Sequence, residues 1–429
     1  MVTNKFLNSL INYEKLVKYD YNFKLANFKH FLRSIGNPEQ NLKNVILIAG
    51  TKGKGSTATF IESCLRACGL KTALFTSPHL LSIRERIKVN NKPISQQDLD
   101  RVVNKIKRQA EKYNITFFEA MTAIAFLYFV EKSVDYTILE VGLGGSLDAT
   151  NVVNPKVAVI TRIGFDHLNL LGRTLKKIAQ EKAGIIHPQS FVVISPQKNS
   201  ALKSIINKIK ENKNPYYYIL EKITIKEMKS NLDGCKFTFQ EQNQTTKTYQ
   251  IRVIGKHQIE NALTAWAVLN YFKKHEVRLT EQGIKKGLAK ANPLGRCQII
   301  TQQPLIIIDS AHNPESAQSL YHIIHDIIKQ KVIIVYGSSE GKLVSRILDI
   351  LSPITKRFIL TQSQNPRRIP IEKLAKMCRQ KSLSYQTSET VKDAIKVAKH
   401  LSKNRIPIII TGSFYIAGEA LTYFKNKAS

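Results

Sequence analysis

The chain has 429 residues, 43% apolar and 23% charged, ordinary for a globular protein and long enough for two or three domains. No apolar run reaches the ~18 residues of a membrane span, and the opening MVTNKFLNSLINYEK lacks a secretory layout, so no membrane association is expected. The net charge of +33 invites a nucleic-acid reading, but the lysines are spread along the chain without a basic block or aromatic interleaving, and nucleic acid ranks low as a partner.

The first strong pattern is VILIAGTKGKGSTAT, residues 45–59. Val45 to Ala49 read as a buried strand. From Ser56 onward Ala58, Ile61, Leu65 and Cys68 recur at helical spacing and predict a helix over 56–69. Glycines 50, 53 and 55 therefore fall where a strand turns into a helix N-terminus. Backbone N–H groups there lack intrahelical partners, the helix dipole favours an anion, and Lys54 adds a point charge. Phosphate is the natural ligand. The loop departs from a strict phosphate-binding pattern, because Ile48 stands where a glycine belongs and Gly55 follows the lysine. On this stretch alone an ordinary glycine-rich turn is the competing reading.

Strands are predicted next at Thr72–Phe75, Tyr136–Val141, Val157–Thr161 and Phe191–Ser195, with helices over 96–112, 117–131 and 174–184. Such alternation implies a parallel sheet wrapped by helices. Between 214 and 254 the pattern becomes alternating Tyr, Thr, Phe and Gln, and Asp233-Gly234 marks a hairpin in a small antiparallel section. Helices from Gln258 to Lys273 and from Glu281 to Lys290 follow. ANPLGRCQII breaks the pattern and sets a boundary near 294–298, dividing 1–295 from 296–429. Beyond it strands are predicted at Leu305–Ile308, Val332–Tyr336, Phe358–Thr361 and Ile408–Thr411. The expected architecture is α/β: an N-terminal P-loop-type domain with a mainly parallel sheet plus the antiparallel section, then a C-terminal Rossmann-like α/β domain. Five scattered cysteines, with no CxxC, fit a reduced cytoplasmic chain without a zinc site.

Several polar residues fall at carboxyl ends of these strands, where ligands of α/β folds collect. Glu140 closes DYTILE, and a carboxylate there can hold Mg²⁺; a helix-capping or ion-paired glutamate is the plainer alternative. Asp166-His167 follows KVAVIT, and Ser77 follows TALF, where it could equally be a turn residue before Pro78. Lys182 lies in a helical stretch, where a solvent-facing lysine is the usual outcome. In the second half Asp309 ends LIIID, His312 and Asn313 follow it, and Ser413 lies just past the last strand. One cleft between two domains could gather them all.

Nine segments then occur in order: GTKGKGST, FTSPHLLSIRERI, TFFEAMTAIAF, LEVGLGGSLDATN, FDHLNLLG, EKAGII, PLGRCQ, DSAHNP and TGSFYIAGEAL. Together they resemble folylpolyglutamate synthase/dihydrofolate synthase, a branch of the Mur ligase superfamily, from about Gly36 to near the C-terminus. The resemblance implies a Mur ligase-like ATP-binding domain over 1–295 and a glutamate ligase domain over 296–429. It implies an ATP-dependent ligase, expected to be monomeric, that joins L-glutamate to dihydropteroate, to tetrahydrofolate, or to both. The acid's carboxylate would take the γ-phosphate as an acyl phosphate, and glutamate's amine would displace it. A carboxylate is a poor electrophile until phosphorylated, so positioning and charge neutralisation carry most of such catalysis.

Carried over by motif, the resemblance places the phosphate loop on Gly53, Lys54, Gly55 and Ser56 and the other ATP contacts on Asn261, Arg296 and Asp309. It places magnesium on Ser77, Glu140, His167 and a carbamylated Lys182. The pterin wall falls on Thr116, Phe117, Phe118 and Glu119 with Leu147 and Asp148, and the incoming glutamate near His312 and Ser413. Lys54, Lys182 and His312 would carry the chemistry. Four departures stand out: Lys52 replaces the family's Asn, Ser146 its Arg, Arg162 a small residue, and SSEGKL an aspartate-bearing loop. A peptidoglycan-type Mur ligase, a basic nucleic-acid-binding protein and an inactive homologue are the competing readings.

Overall fold

The computed structural model describes residues 2–14, 25–242 and 244–428. Its first sheet has eight strands: β1 (Val45–Ala49), β2 (Thr72–Phe75), β3 (Ile87–Val89), β4 (Lys92–Pro93), β5 (Tyr136–Glu140), β6 (Val157–Ile160), β7 (Phe191–Ile194) and β8 (Tyr216–Tyr218). They lie in the order β4-β3-β2-β5-β1-β6-β7-β8. All pairings from β2 to β8 are parallel, and β3 and β4 add an antiparallel edge. The sequence pattern missed that edge because three residues, and a pair containing Pro93, are too short to show alternation.

Strand β1 is apolar throughout because both its faces are covered. Val45, Leu47 and Ala49 pack into one apolar layer, while Ile46 and Ile48 pack into the layer on the opposite face. With β5 on one side of it and β6 on the other, β1 is the point where the strand order reverses. Its carboxyl end therefore opens into a crevice that the flanking connections cannot fill.

A second, three-stranded antiparallel sheet follows: β9 (Ile223–Asn231), β10 (Gly234–Glu241) and β11 (Lys247–Ile251), with the Asp233-Gly234 turn between β9 and β10. It packs with the helix Lys256–Lys273, where Trp266 lies against Phe239. The third sheet comprises β12 (Gln298–Gln302), β13 (Leu305–Ile308), β14 (Val332–Tyr336), β15 (Thr355–Leu360), β16 (Tyr385–Thr387) and β17 (Ile408–Thr411). Its order is β12-β13-β17-β14-β15-β16, parallel except for the β12–β13 hairpin. The α/β class and mainly parallel character anticipated from the sequence are present in both large sheets.

Element boundaries differ in instructive ways. The helix predicted over 56–69 runs Lys54–Ala67, because Gly53, at φ 87°, caps it and so starts it two residues before Ser56. The strand predicted at Phe358–Thr361 begins at Thr355, where exposed Lys356 and Arg357 hide the signal. The helices Val2–Ser9 and Leu25–Ser34 went unanticipated. Among the described residues no helix is long and apolar enough to cross a membrane.

Candidate active site

The β1–helix junction is built as a cradle. Thr51 and Lys52 both donate backbone N–H groups to Arg162 O at 3.0 Å, which ties the loop to the end of β6. Gly53 is required at its position, because a Cβ there would overlap the Asn261 side chain from helix Lys256–Lys273. Asn261 is itself held, donating from Nδ2 to Gln258 Oε1 at 3.0 Å. Lys54 folds its ammonium back onto Gly50 O at 3.1 Å. Gly55 and Ser56 occupy the first helical turn, and a Cβ on Gly55 would come within 3.3 Å of Glu140 Oε2. The loop, its lysine and the β5 carboxylate thus share one corner.

Glu140 is buried, and its Oε2 accepts the Ser77 backbone N–H at 3.2 Å, just before a cis Ser77-Pro78 bond. Burial pushes its carboxyl pKa up, and the Lys54 charge opposes that shift. A small cavity of about 40 Å³ beside it is lined by Lys54, Asp166, His167 and Lys182 among others. Lys182 is 4% exposed, so the solvent-facing reading of this lysine is overturned. Burial and the nearby Lys54 charge lower its pKa to about 7. His167, at φ 49° and with its side chain 37% exposed, is also lowered, to about 4, by partial desolvation and by the Lys342, Lys182 and Lys54 charges.

A larger cavity of about 230 Å³ opens from this corner between the first and third sheets. Thr116, Phe118, Glu119, Leu147 and Asp148 line one wall, and His312 and Ser413 another. Thr116 and Glu119 hold each other in a capping box at the start of helix Phe117–Glu131, with Glu119 Oε2 accepting Thr116 N at 2.9 Å and Oγ1 at 2.8 Å. Asp148 braces the glycine-rich turn by accepting Leu143 N at 2.9 Å and Thr150 Oγ1 at 2.6 Å. Phe117 does not join this wall: it is buried beneath the Arg86 guanidinium, 5.2 Å from its ring centroid, because adjacent helical positions face different sides. Ser413 caps the helix Phe414–Ala428 by accepting Ile416 N at 3.1 Å.

His312 Nδ1 lies 2.9 Å from Ser310 O, which assigns the proton to Nδ1 and leaves Nε2 as the acceptor, 4.0 Å from Asp166 Oδ2. Burial holds its pKa well below the usual value. Asp309 spends its carboxylate on the backbone, accepting Cys297 N at 2.9 Å and Ala311 N at 2.8 Å. Arg296 donates to Ser310 Oγ at 3.0 Å and lies over the Phe414 ring at 5.1 Å. Asn261, Arg296 and Asp309 line neither cavity; Asn261 lies against Gly53.

The structure also gathers residues that the sequence reading passed over. Lys342, from the SSEGKL loop, reaches across to Asp166 at 3.3 Å and joins the two halves of the molecule. Despite its burial, Asp166 is held far below the usual carboxylate range by Lys342, His167 and His312. Lys52 is lowered to about 7 by burial, against the pull of Asp166 and Glu315. Arg367 and the segment Ile11–Glu14 complete the larger cavity. The strand-end rule, extended to the loops after β14 and β15, would have found Lys342 and Arg367. Of the departures, Ser146 donates its hydroxyl to Glu181 O at 3.0 Å and Arg162 pairs with Glu260 at 3.1 Å, so neither points into the cavity.

Residues 48–269 match the Mur ligase middle domain and residues 295–414 the Mur ligase glutamate ligase domain. The chain is 31% identical over 404 residues to the dihydrofolate synthase/folylpolyglutamate synthase of Bacillus subtilis, covering 92% of this chain and 93% of that protein. It is 30% identical to the folylpolyglutamate synthase of Lacticaseibacillus casei, covering 95% and 97%. Among solved structures, E. coli FolC in complex with DHPP and ADP superposes with a TM-score of 0.89 at 26% identity, covering 100% and 98% of the two chains. Mycobacterium tuberculosis folylpolyglutamate synthase complexed with ADP gives 0.88 at 28%, covering 99% and 97%. With its glycine-rich cradle, buried Glu140 and two-walled cavity, the chain belongs to the Mur ligase family, in the folylpolyglutamate synthase/dihydrofolate synthase branch, and is an ATP-dependent ligase.

Proposed function

We infer that the protein joins L-glutamate to a pterin-bearing acid, whether dihydropteroate, a reduced folate or both, with ATP cleaved to ADP and phosphate. The observation that carries this reading is the continuity of one cavity from Ser77 and His167, beside the phosphate loop, to the Phe118–Asp148 wall and on to His312 and Ser413. A flat acid seated against Phe118 and Leu147 can extend its carboxylate toward the triphosphate, while the amino acid approaches from the third sheet. Gly53, Lys54, Gly55 and Ser56 hold the phosphates, and Asn261, Arg296 and Asp309 serve the rest of the nucleotide. Phosphorylation of the carboxylate makes it an electrophile, and the amine then displaces phosphate. His312, neutral at physiological pH with Nε2 free to accept, suits holding the attacking amine.

The residues present fit a magnesium ion. Among the described residues no group of three or more His, Cys, Asp and Glu side chains could hold a metal unaided. The fit rests on buried Glu140 beside Ser77, a hard carboxylate oxygen of the kind this ion prefers, with the remaining positions left to phosphates and water. Ser77, Glu140 and His167 would hold it, and it would neutralise charge on the transferring phosphoryl group. A carbamate on Lys182 would add a carboxylate; a buried lysine with pKa near 7 has the neutral amine that CO₂ requires. All five cysteines are free, in keeping with a cytoplasmic setting, and both halves of a single chain line the cavity, in keeping with a monomer.

The test is turnover with ATP, Mg²⁺ and glutamate plus either dihydropteroate or tetrahydrofolate, read as ADP release and product mass. Turnover should require the pterin acid and add the mass of one glutamyl residue. ATP hydrolysis indifferent to both acids would refute the assignment.

A further inference from the structure

Within that reading, and resting on it, the cavity carries a cation that no step described so far uses. Arg367 lines the cavity from the loop after β15. Its Nη1 donates to the Glu14 backbone O at 3.3 Å, and its Nε is buried without a hydrogen-bond partner. The nearby Glu14 carboxylate does not neutralise it, being held by both terminal nitrogens of fully buried Arg86 at 2.9 and 2.6 Å. The guanidinium is placed by a short two-loop ladder: Glu340 N donates to Arg367 O at 2.7 Å, and Ile369 N to Ser338 O at 2.9 Å. A charge so fixed and so poorly satisfied awaits an anion.

Its location says which anion. The segment that Arg367 grips also touches the acceptor wall, where Phe117 N donates to Ile11 O at 3.0 Å. Arg367 is therefore on the side of the acceptor acid, whereas Lys342 is with His312 and Asp166 near the incoming amino acid. A pteroate has one carboxylate, and it must reach the phosphate. A folate has two: the γ-carboxylate reacts, and the α-carboxylate branches off a few bonds earlier inside a half-enclosed cavity, where it needs a counter-charge. We propose that Arg367 binds the α-carboxylate of an acceptor that already bears glutamate, and so is a specificity residue for chain extension over first ligation.

The experiment compares wild type, Arg367→Ala and Arg367→Lys with dihydropteroate and with tetrahydrofolate, measuring KM for each acceptor and for glutamate. In Arg367→Ala the KM for tetrahydrofolate should rise about 10–100-fold, with kcat, the KM for dihydropteroate and the KM for glutamate within about twofold of wild type. Arg367→Lys should recover part of the loss, since it keeps the charge without the fork. Dihydropteroate is the internal control, because a collapsed Glu14 wall would impair both acceptors alike. Equal losses with both acceptors, a rise confined to glutamate, or no change would overturn the proposal. Wild-type turnover with dihydropteroate alone would overturn it while leaving the ligase reading intact; turnover with neither acid would sink both.

Discussion

Replacing Gly53 by alanine tests the phosphate cradle at its tightest point. The residue sits at φ 87°, which costs an L-residue about 1–2 kcal/mol, and the new methyl group would overlap Asn261 Oδ1. Relief requires Asn261 to turn away, sacrificing its 3.0 Å bond to Gln258, worth about 1 kcal/mol. On the premise that the variant loop relaxes when empty and must be drawn back into this geometry to hold phosphate, the two effects together cost about 2–3 kcal/mol of binding, or about 30–150-fold in nucleotide affinity. Titration calorimetry with ADP gives the number directly. Asn261→Ala removes the overlap but leaves the backbone strain, so the double variant should lose about 1 kcal/mol less than the sum of the single variants. Gly53→Ala binding within threefold of wild type, or strictly additive losses, would refute this account of the loop.

Lys182→Ala should abolish most acceptor-dependent ADP release, and added short carboxylic acids should restore part of it by supplying the missing carboxylate; unchanged turnover would remove the carbamate from the mechanism. Lys52 releases its proton near pH 7 when folded but near 10.5 when unfolded, so between those values the unfolded chain binds more protons and stability rises with pH. Lys52→Asn should therefore raise the thermal midpoint most below pH 7, by about 1 kcal/mol of stability once solvent screening is allowed for, with the gap closing toward pH 10; a pH-independent offset would contradict this. Glu14→Ala leaves the buried Arg86 guanidinium without its bidentate partner and should destabilise by about 2–3 kcal/mol, measured by chemical denaturation. A loss under 0.5 kcal/mol would show that water replaces the carboxylate at no cost.

The elements that the sequence made legible were those whose signal is local. Val45–Ala49 and Ile408–Thr411 read as buried strands because both faces of each sheet are covered, which leaves unbroken apolar runs. Asp233-Gly234 announced its hairpin through turn chemistry alone. The strand-end rule found Glu140 and His312 without any contact information. It could not distinguish Phe117 from Phe118, because which of two adjacent aromatics faces the cavity depends on Arg86 packing over one of them. Nor could it weigh Lys182, whose exposure is decided by the glycine turn at 144–145 pressing against its backbone. Lys342 and Arg367 matter only because a partner more than a hundred positions away lies opposite, Asp166 for one and Glu14 for the other.

That last pairing bears on how the enzyme comes into being. Glu14 and Arg367 are 353 positions apart, and Ser413 to Tyr415 complete the same enclosure. The glycine-rich cradle at residues 50–56, by contrast, draws its contacts from residues no later than Asn261. On a ribosome adding about 5–20 residues per second, a growing chain would hold a nucleotide foothold many seconds before it had anywhere to seat an acid. The walls that give phosphoryl transfer a recipient thus include some of the last residues to be made.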